Sequence, residues 1–213
     1  MRGQVTEEEM RRALCLRHTE EVQRKLSSAR VAVAGLGGLG SHIAFLLARI
    51  GVGYLHLVDF DRVELTNLNR QQYRLCHLGQ YKTEALQSEL MELNPFLHIS
   101  ADCVKVDEKN LPELFAEDLI ICEAFDRAEQ KAMLAGGILE HFPEKKLVAA
   151  SGMAGFGASN RICTRRIGKN FYLCGDGETE SLPGAGLMAP RVALCAAHQA
   201  NAVASLILGQ EPA

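Results

Sequence analysis

Short apolar runs alternate with longer amphipathic segments along most of the chain. The first run ends at a glycine, which is typical of buried strands in a parallel sheet, and the second has an acidic end. We predict strands over residues 30–35, 54–61, 96–104, 118–125 and 145–153. Between them, the helical period of apolar positions predicts helices over residues 38–51, 82–95, 111–117 and 127–142. This alternation predicts an α/β fold with a Rossmann-like, doubly wound, mostly parallel sheet flanked by helices.

The two ends of the chain depart from this alternation. Thr6 to Leu26 is predicted as one helix, because Thr6 and Glu9 have the spacing of a capping box. After Gly152 the sequence predicts an antiparallel strand pair, a loop rich in glycine and proline, and a final apolar helix.

We therefore predict a single domain over residues 1–213 with three parts. The first is an N-terminal helix in residues 1–28, and the second is a nucleotide-binding core in residues 29–152. The third, residues 153–213, contains the antiparallel extension, the loop and the C-terminal helix. A chain of this length can bury a core without needing disulfides or metals.

Composition and charge narrow the class of protein. The net charge of −3 offers no general attraction to nucleic acid or to an anionic membrane. No apolar run approaches the roughly 18 residues that a membrane-spanning helix needs, and the charged start MRGQVTEEEMRR is unlike a signal peptide. We expect a cytoplasmic protein that binds neither membranes nor nucleic acid.

The seven cysteines are scattered, and no two of them form a C-x-x-C pair. This spacing predicts neither a disulfide framework nor a zinc site. Several cysteines lie in apolar runs, where a free thiol behaves as a small core residue.

The segment VAVAGLGGLGSHIA, residues 31–44, contains the strongest local motif. Gly35, Gly37 and Gly40 match G-x-G-x-x-G between a predicted strand and a predicted helix, whose first amides attract an anion. Asp59 ends the next predicted strand, where a Rossmann fold places the acid that binds a ribose. The alternative is a glycine turn that only packs a helix onto a strand. At this point the nucleotide could be a nicotinamide dinucleotide, as in an NAD(P)-binding oxidoreductase, or ATP.

Three features favour a triphosphate over a nicotinamide. Gly38 adds a glycine to the fingerprint, and Asp61 adds a second acid beside Asp59. The segment that follows offers amides and cations instead of apolar walls for a ring, and such groups suit phosphate charge. They are Asn67, Asn69, Arg70, Gln71, Gln72 and Lys82.

Four segments together, GLGGLGS, VDFDRVELTNLNRQ, GQYK and EAFDRAEQK, resemble the ThiF/MoeB/HesA group of adenylyltransferases. These enzymes activate ubiquitin-like sulfur carriers. The segments AASGMAGFGASN and GLMAPRV are most similar to the shorter ThiF-type proteins of thiamine biosynthesis. The resemblance implies that the C-terminal glycine carboxylate of a ThiS-like carrier attacks ATP, and that pyrophosphate leaves. Activation of another carrier, or adenylation of a tRNA base by a related dehydratase, is the alternative in this superfamily.

The resemblance also implies roles for individual residues. Gly35, Gly37, Gly38 and Gly40 would shape the phosphate loop, while Asp59, next to Asp61, would accept hydrogen bonds from the ribose. Asn67, Arg70 and Gln71 in NLNRQ would hold phosphates together with Lys82. Asp126 would bind Mg²⁺, or would instead cap the helix that follows it. An arginine from the N-terminal helix, Arg17 or alternatively Arg12, would reach a nucleotide across a dimer interface.

The expected cofactors and partners follow from the same resemblance. We expect ATP and Mg²⁺ without zinc, a small β-grasp sulfur carrier ending in Gly-Gly, a sulfur donor enzyme and a homodimer. Cys174 is either a residue that links covalently to the carrier or an ordinary strand cysteine. The loop from Gly175 to Gly186 is a candidate lid over the carrier tail. The cations of Thr164 to Lys169 could meet an acidic carrier, or they could belong to a solvated edge strand.

Overall fold

The structure, a computed structural model, describes residues 5–184 and 186–213. Residues 1–4 and Ala185, which is part of the predicted lid, lie outside the described residues. Within the described residues, seven strands form a single sheet. They are β1 (Arg30–Ala34), β2 (Tyr54–Val58), β3 (His98–Asp102), β4 (Ile120–Glu123), β5 (Lys146–Ala150), β6 (Cys163–Arg166) and β7 (Phe171–Gly175). Their order across the sheet is β3-β2-β1-β4-β5-β7-β6.

Helices cover both faces of the sheet, so the predicted α/β doubly wound architecture is confirmed. They are α1 (Glu7–His18), α2 (Glu20–Ser27), α3 (Gly38–Arg49), α4 (Lys82–Leu93), α5 (Leu111–Leu114), α6 (Ala128–His141) and α7 (Ala189–Ile207). The larger hydrophobic core lies under α3, α4 and α7 and includes Ile43, Leu86 and Val203. The smaller core, under α5 and α6, includes Leu111 and Leu134. In the part of the chain described here, no helix is long and apolar enough to cross a membrane.

The N-terminal segment forms two helices, so the prediction of one helix from Thr6 to Leu26 is wrong. The capping box of Thr6 and Glu9 begins α1 as expected. Thr19, however, has a φ of 77° and separates α1 from α2, and its hydroxyl accepts a hydrogen bond from the amide of Val22. A left-handed backbone at a β-branched residue is costly, and the sequence gives no local signal for it.

The C-terminal extension is antiparallel as predicted. Residues 163–166 of β6 pair with residues 172–175 of β7, with Cys163 opposite Gly175 and Arg166 opposite Tyr172. β7 pairs in parallel with β5, so this strand pair continues the main sheet. α7 then crosses back over the sheet and packs against α3 and β5.

The sheet reverses its direction of winding between β1 and β4. Successive strands run outward from β1 through β2 to β3 on one side, and from β4 through β5 to β7 on the other. β1 and β4 are parallel neighbours, so the loops that leave their carboxyl ends diverge to opposite faces. The crevice between such loops is where open α/β sheets bind ligands.

Gly40 is required by close packing where α3 leaves the sheet. A Cβ atom on Gly40 would lie 1.8 Å from the carbonyl oxygen of Gly35. Gly136 in α6 is a suitable control position, because it is also a helical glycine but a Cβ there would meet nothing within 4 Å.

We expect Gly40→Ala to lower the free energy of unfolding by about 3 kcal/mol or more, because the clash is with backbone that cannot move aside. Gly136→Ala should instead be neutral or stabilising by up to about 1 kcal/mol. Urea unfolding followed by circular dichroism checks both variants. Equal stabilities for the two would contradict the packing assigned to Gly40.

Candidate active site

A cavity of about 780 Å³ opens at the carboxyl ends of the central strands. Its walls come from the glycine loop after β1, the acidic end of β2, and the segments after β3, β4 and β5. The loop after β7 and the start of α7 close the remaining side. A cavity of this size suits a ligand as large as a nucleotide.

The glycine loop presents bare backbone to the cavity. Gly35 has a φ of 91°, and a Cβ on it would lie 2.8 Å from the carbonyl oxygen of Ala124 on the neighbouring segment. Gly37 faces open space instead, since the nearest atom to a Cβ there is Nε2 of Gln71 at 3.7 Å. The first amides of α3 have no partner within the helix, and Gly37 and Gly38 line the cavity, so this helix start favours an anion there.

Asp59 is held in place by two backbone amides. Its Oδ2 accepts a hydrogen bond from the amide of Leu36 at 2.6 Å, and its Oδ1 accepts one from the amide of Asp61 at 2.8 Å. Burial raises the pKa of Asp59, while Lys82 and these amides oppose the rise. Each carboxylate oxygen keeps a second lone pair that can accept a ligand hydroxyl.

Lys82, the first residue of α4, is buried beside the acidic strand end. Its ammonium donates to Oδ2 of Asp61 at 2.9 Å and lies 4.0 Å from Oδ2 of Asp59. The cation is therefore already placed at the cavity wall by the two acids. A phosphate would share Lys82 with Asp61.

Arg70 and Gln71 both line the cavity. Nη1 of Arg70 donates to the carbonyl of Thr66 at 3.2 Å and to Oδ1 of Asn69 at 2.9 Å. Within residues 5–184 and 186–213, Nε of Arg70 and Oε1 of Gln71 are buried and have no hydrogen-bond partner. Both atoms are shut off from solvent, so a ligand in the cavity would meet the N–H donors of these two side chains instead.

Asp126 lines the cavity from the turn between β4 and α6, with its side chain exposed. The N-cap of α6 is Arg127, so the alternative that Asp126 is the cap of this helix does not hold. Among the described residues, no three His, Cys, Asp or Glu side chains are grouped to hold a metal ion.

The remaining predicted residues lie away from this cavity wall. Gly40 is inside α3 and packs against Gly35. Asn67 lies in a short 3-10 turn, where its side-chain oxygen accepts a hydrogen bond from the amide of Glu64. Arg17 and Arg12 are both exposed on α1. A role for either arginine across a dimer interface stays a prediction.

Buried Glu123 forms an ion pair with Lys131, which is partly exposed and lines the cavity, and the sequence motifs did not single out either residue. Glu123 ends β4 and is 1% exposed, and the ammonium of Lys131 donates to both its oxygens, at 3.0 and 2.9 Å. Lys131 also donates to the carbonyl of Ala150 at 3.1 Å, which ties β4 to β5. Burial raises the pKa of Glu123, although Lys131 opposes the rise. Both residues stand in the segment EAFDRAEQK, so the motif contained the signal.

Cys174 is an ordinary core cysteine in this fold. Its thiol is buried in β7, and burial raises its pKa to about 11. A thiol of that acidity is almost entirely protonated at neutral pH and is a poor nucleophile. The structure thus favours the strand-cysteine alternative over a covalent link to a carrier.

Comparison with known proteins gives a family and several relatives. The sequence model described as the ThiF family matches residues 11–213. A molybdopterin-synthase adenylyltransferase of Escherichia coli (strain K12) is 30% identical over 193 residues, covering 88% of this chain and 76% of the relative. The Haemophilus influenzae enzyme of the same description is 36% identical over 132 residues, covering 60% of this chain and 54% of the relative.

Solved structures share the fold. The E. coli tRNA N6-threonylcarbamoyladenosine dehydratase TcdA in complex with ATP superposes with a TM-score of 0.86 at 20% identity, covering 97% of this chain and 98% of that one. E. coli MccB with ATP superposes with a TM-score of 0.69 at 25% identity, covering 90% of this chain and 59% of that one.

Lys131→Met should lower the free energy of unfolding by about 3 kcal/mol at neutral pH, because it leaves the Glu123 carboxylate buried without its cation. The raised pKa of Glu123 means that the folded protein takes up a proton at higher pH than the unfolded chain. The stability that Glu123 contributes therefore falls as pH rises through its folded-state pKa. Without Lys131 this pKa is higher still, so the fall continues to higher pH. The loss in free energy of unfolding caused by Lys131→Met should therefore be smaller at about pH 5 than at about pH 8.

The double variant Lys131→Met, Glu123→Gln provides the control, because it removes the buried charge as well as its partner. It should be more stable than Lys131→Met alone at about pH 8. Urea unfolding at both pH values measures all three proteins. If the loss of unfolding free energy in Lys131→Met does not depend on pH and is not relieved by Glu123→Gln, Lys131 stabilises the fold by packing alone.

Proposed function

Because the chain belongs to the ThiF family of adenylyltransferases, we propose that it uses ATP to adenylate the C-terminal glycine carboxylate of a small ubiquitin-like sulfur carrier. The observation that carries this proposal is the convergence of Gly37, Asp59, Arg70, Lys82 and Asp126 on one cavity. A phosphate loop, a ribose acceptor, two cations and a carboxylate are the groups that an ATP site needs.

The cavity supports one orientation of the nucleotide. The ribose would lie at Asp59, and the base would extend toward Phe60 and the segment Val104 to Val106, which line the same end. The phosphates would then lie against the amides near Gly37. Arg70 and Gln71 line the same cavity, and their side chains offer N–H donors to a phosphate.

A Mg²⁺ ion that accompanies ATP draws most of its ligands from phosphates and water. One exposed carboxylate is a suitable protein contribution, and Asp126 offers it at the phosphate end of the cavity. When bound there, the ion would neutralise charge on the phosphates.

In this reaction the protein mainly positions the reactants and stabilises charge, and it forms no covalent bond to them. The carrier carboxylate attacks the α-phosphorus, an acyl–phosphate bond forms, and the bond to pyrophosphate breaks. Negative charge grows on the α-phosphate oxygens and on the leaving group as this happens. Arg70 and Lys82 are fixed cations that would offset this charge, and their hydrogen bonds to the protein hold them in place beforehand.

Two carriers are candidates for the acyl substrate. The segments AASGMAGFGASN and GLMAPRV resemble ThiF-type proteins of thiamine biosynthesis, which favours a ThiS-like carrier and a role in thiazole formation. The E. coli and H. influenzae relatives are molybdopterin-synthase adenylyltransferases, which favours the carrier subunit of that synthase. We propose the ThiS-like carrier as the first to test. A sulfur donor enzyme would convert the adenylate to a thiocarboxylate.

A second candidate is adenylation of a modified tRNA base. The likeness to the E. coli dehydratase over nearly the whole length of both chains favours it. The net charge of −3 opposes it, because binding to tRNA draws most of its affinity from contacts between cations and phosphates.

ATP–pyrophosphate exchange is the first experiment. We expect exchange that depends on a carrier ending in Gly-Gly and that disappears when the terminal glycine is removed. The thiamine and molybdopterin carriers are compared in parallel, with threonylcarbamoylated tRNA as a third arm. Binding of NADH without exchange in any arm would instead favour the oxidoreductase alternative.

Arg70→Ala and Asp126→Ala should each lower the exchange rate at least about 100-fold, because each removes a charge that acts on the phosphates. Both side chains lie at the cavity surface, so the melting temperature should change little. Near-normal exchange in either variant would remove that residue from the mechanism.

Gly37→Ala tests the phosphate loop without disturbing the fold. A methyl group fits there in the free protein, but it projects into the space assigned to phosphate. We expect ATP affinity to fall at least about tenfold, or about 1.4 kcal/mol, with an unchanged melting temperature. Isothermal titration with ATP and with adenosine gives the control, since adenosine lacks the phosphates and should bind both proteins alike.

A further inference from the structure

One wall of the cavity is left over after the nucleotide is placed. It contains Ser151 to Ala154 after β5, Gly177 to Ser181 after β7, and Leu187 and Val192 around the start of α7. Apart from Met153, Glu178 and Glu180, the first two segments consist of small residues, which leave room for an extended chain of glycines. This wall therefore suits the extended glycine tail of the acyl substrate.

A buried ion pair lies behind this wall. The guanidinium of Arg191, in the first turn of α7, donates through Nη2 to Oδ2 of Asp176, which follows β7. Arg191 is 5% exposed, and the side chain of Asp176 is 1% exposed. Neither residue lines the cavity itself, so the pair would act through the segments that it holds.

Arg191 joins three segments of the wall. Besides Asp176, its guanidinium donates through Nη1 to the carbonyl of Gly157 at 2.9 Å and to that of Ala158 at 3.0 Å. One side chain thereby links the start of α7, the loop after β5 and the loop after β7. A planar guanidinium with several donors can do this, whereas an ammonium cannot match the same geometry.

Asp176 in turn shapes the loop after β7. Its Oδ1 accepts hydrogen bonds from the amides of Glu178 at 2.9 Å and Thr179 at 2.8 Å, and its Oδ2 accepts one from the Thr179 hydroxyl at 2.9 Å. Burial opposes ionisation of Asp176, but these hydrogen bonds and Arg191 outweigh it and lower the pKa to about 2. The carboxylate is thus charged throughout the physiological range.

Gly152 allows the carboxylate to approach so closely. It has a φ of 77°, and a Cβ on it would lie 2.1 Å from Oδ1 of Asp176. The amide of Asp176 also donates to the carbonyl of Gly152 at 2.9 Å. The wall segments after β5 and β7 are therefore built around this one carboxylate.

We propose that Arg191 and Asp176 are positioning residues, which hold Gly177 to Ser181 as a fixed wall of the channel that leads the acyl carboxylate to the α-phosphate. The inference rests on the proposed function for the identity of the acyl substrate. It makes the part of the predicted lid nearest β7 a preformed wall. Because the loop is already ordered, less conformational entropy is lost when the carrier tail binds. Binding of the nucleotide does not depend on this loop.

The experiment compares Arg191→Met and the milder Asp176→Asn with the wild-type protein. Lys25→Met is the control, because Lys25 pairs with Glu21 on the exposed surface of α2 and belongs to no segment assigned to the cavity or to the carrier. Carrier-dependent exchange gives the KM for carrier and kcat, and titration gives the Kd for ATP. Hydrogen exchange reports on the amides of 177–181 and, for comparison, of 31–34 in β1.

We expect both site variants to raise the KM for carrier at least about tenfold while the Kd for ATP stays within about threefold. The amides of 177–181 should lose protection while those of 31–34 keep it. Arg191→Lys should fall between the wild type and Arg191→Met, because it keeps the charge but cannot bridge all three segments. Lys25→Met should resemble the wild type in every measurement.

Unchanged loop protection and unchanged KM for carrier would overturn the inference. So would a parallel loss of ATP affinity and of protection in β1, because the pair would then serve general stability. If the wild-type protein shows no carrier-dependent exchange, the proposed function fails, and this result is distinct from the one above. Hydrogen exchange still decides by itself whether the pair anchors the loop.

Discussion

The parallel pairing of β1 with β4 is the constraint on which the site depends. Val31 pairs with Ile120 and Ala34 with Glu123, and the amide of Ala124 donates to the carbonyl of Ala34 at 2.8 Å. This register places the glycine loop directly beside the turn that carries Asp126. Two segments far apart in sequence thus become the two sides of one crevice, and the sheet fixes their separation.

Three ion pairs, each with at least one buried member, surround this crevice. Lys82 with Asp61, Lys131 with Glu123, and Arg191 with Asp176 each link a strand end to a helix or its first turn. Such pairs are costly to desolvate and are weak evidence for stability. Their common place around one cavity gives them another use, because fixed charges need no reorganisation when a charged ligand binds or reacts.

The alternation of apolar runs and helical periods was sufficient to predict the strands, because buried parallel strands and amphipathic helices leave distinct patterns. The break at Thr19 was missed. Thr19 followed by Glu20 and Glu21 has the residue types of a helix start, but the positive φ of Thr19 has no signal in the sequence. Gly37, Asp59, Arg70, Lys82 and Asp126 were named from motifs and do meet in one cavity. Asn67 belongs to the same motif as Arg70, but a 3-10 turn directs its side chain to the backbone.

The sequence by itself determined the class of fold, the glycine loop, the acidic strand end and the family resemblance, because each depends on residues close together along the chain. Only the tertiary structure decided which charges are paired and buried. Glu123 and Lys131 lie within one motif, yet their pairing depends on how β4, β5 and α6 pack. Arg191 and Asp176 are separated by the loop that they help to hold, and only the crossing of α7 over the sheet brings them into contact.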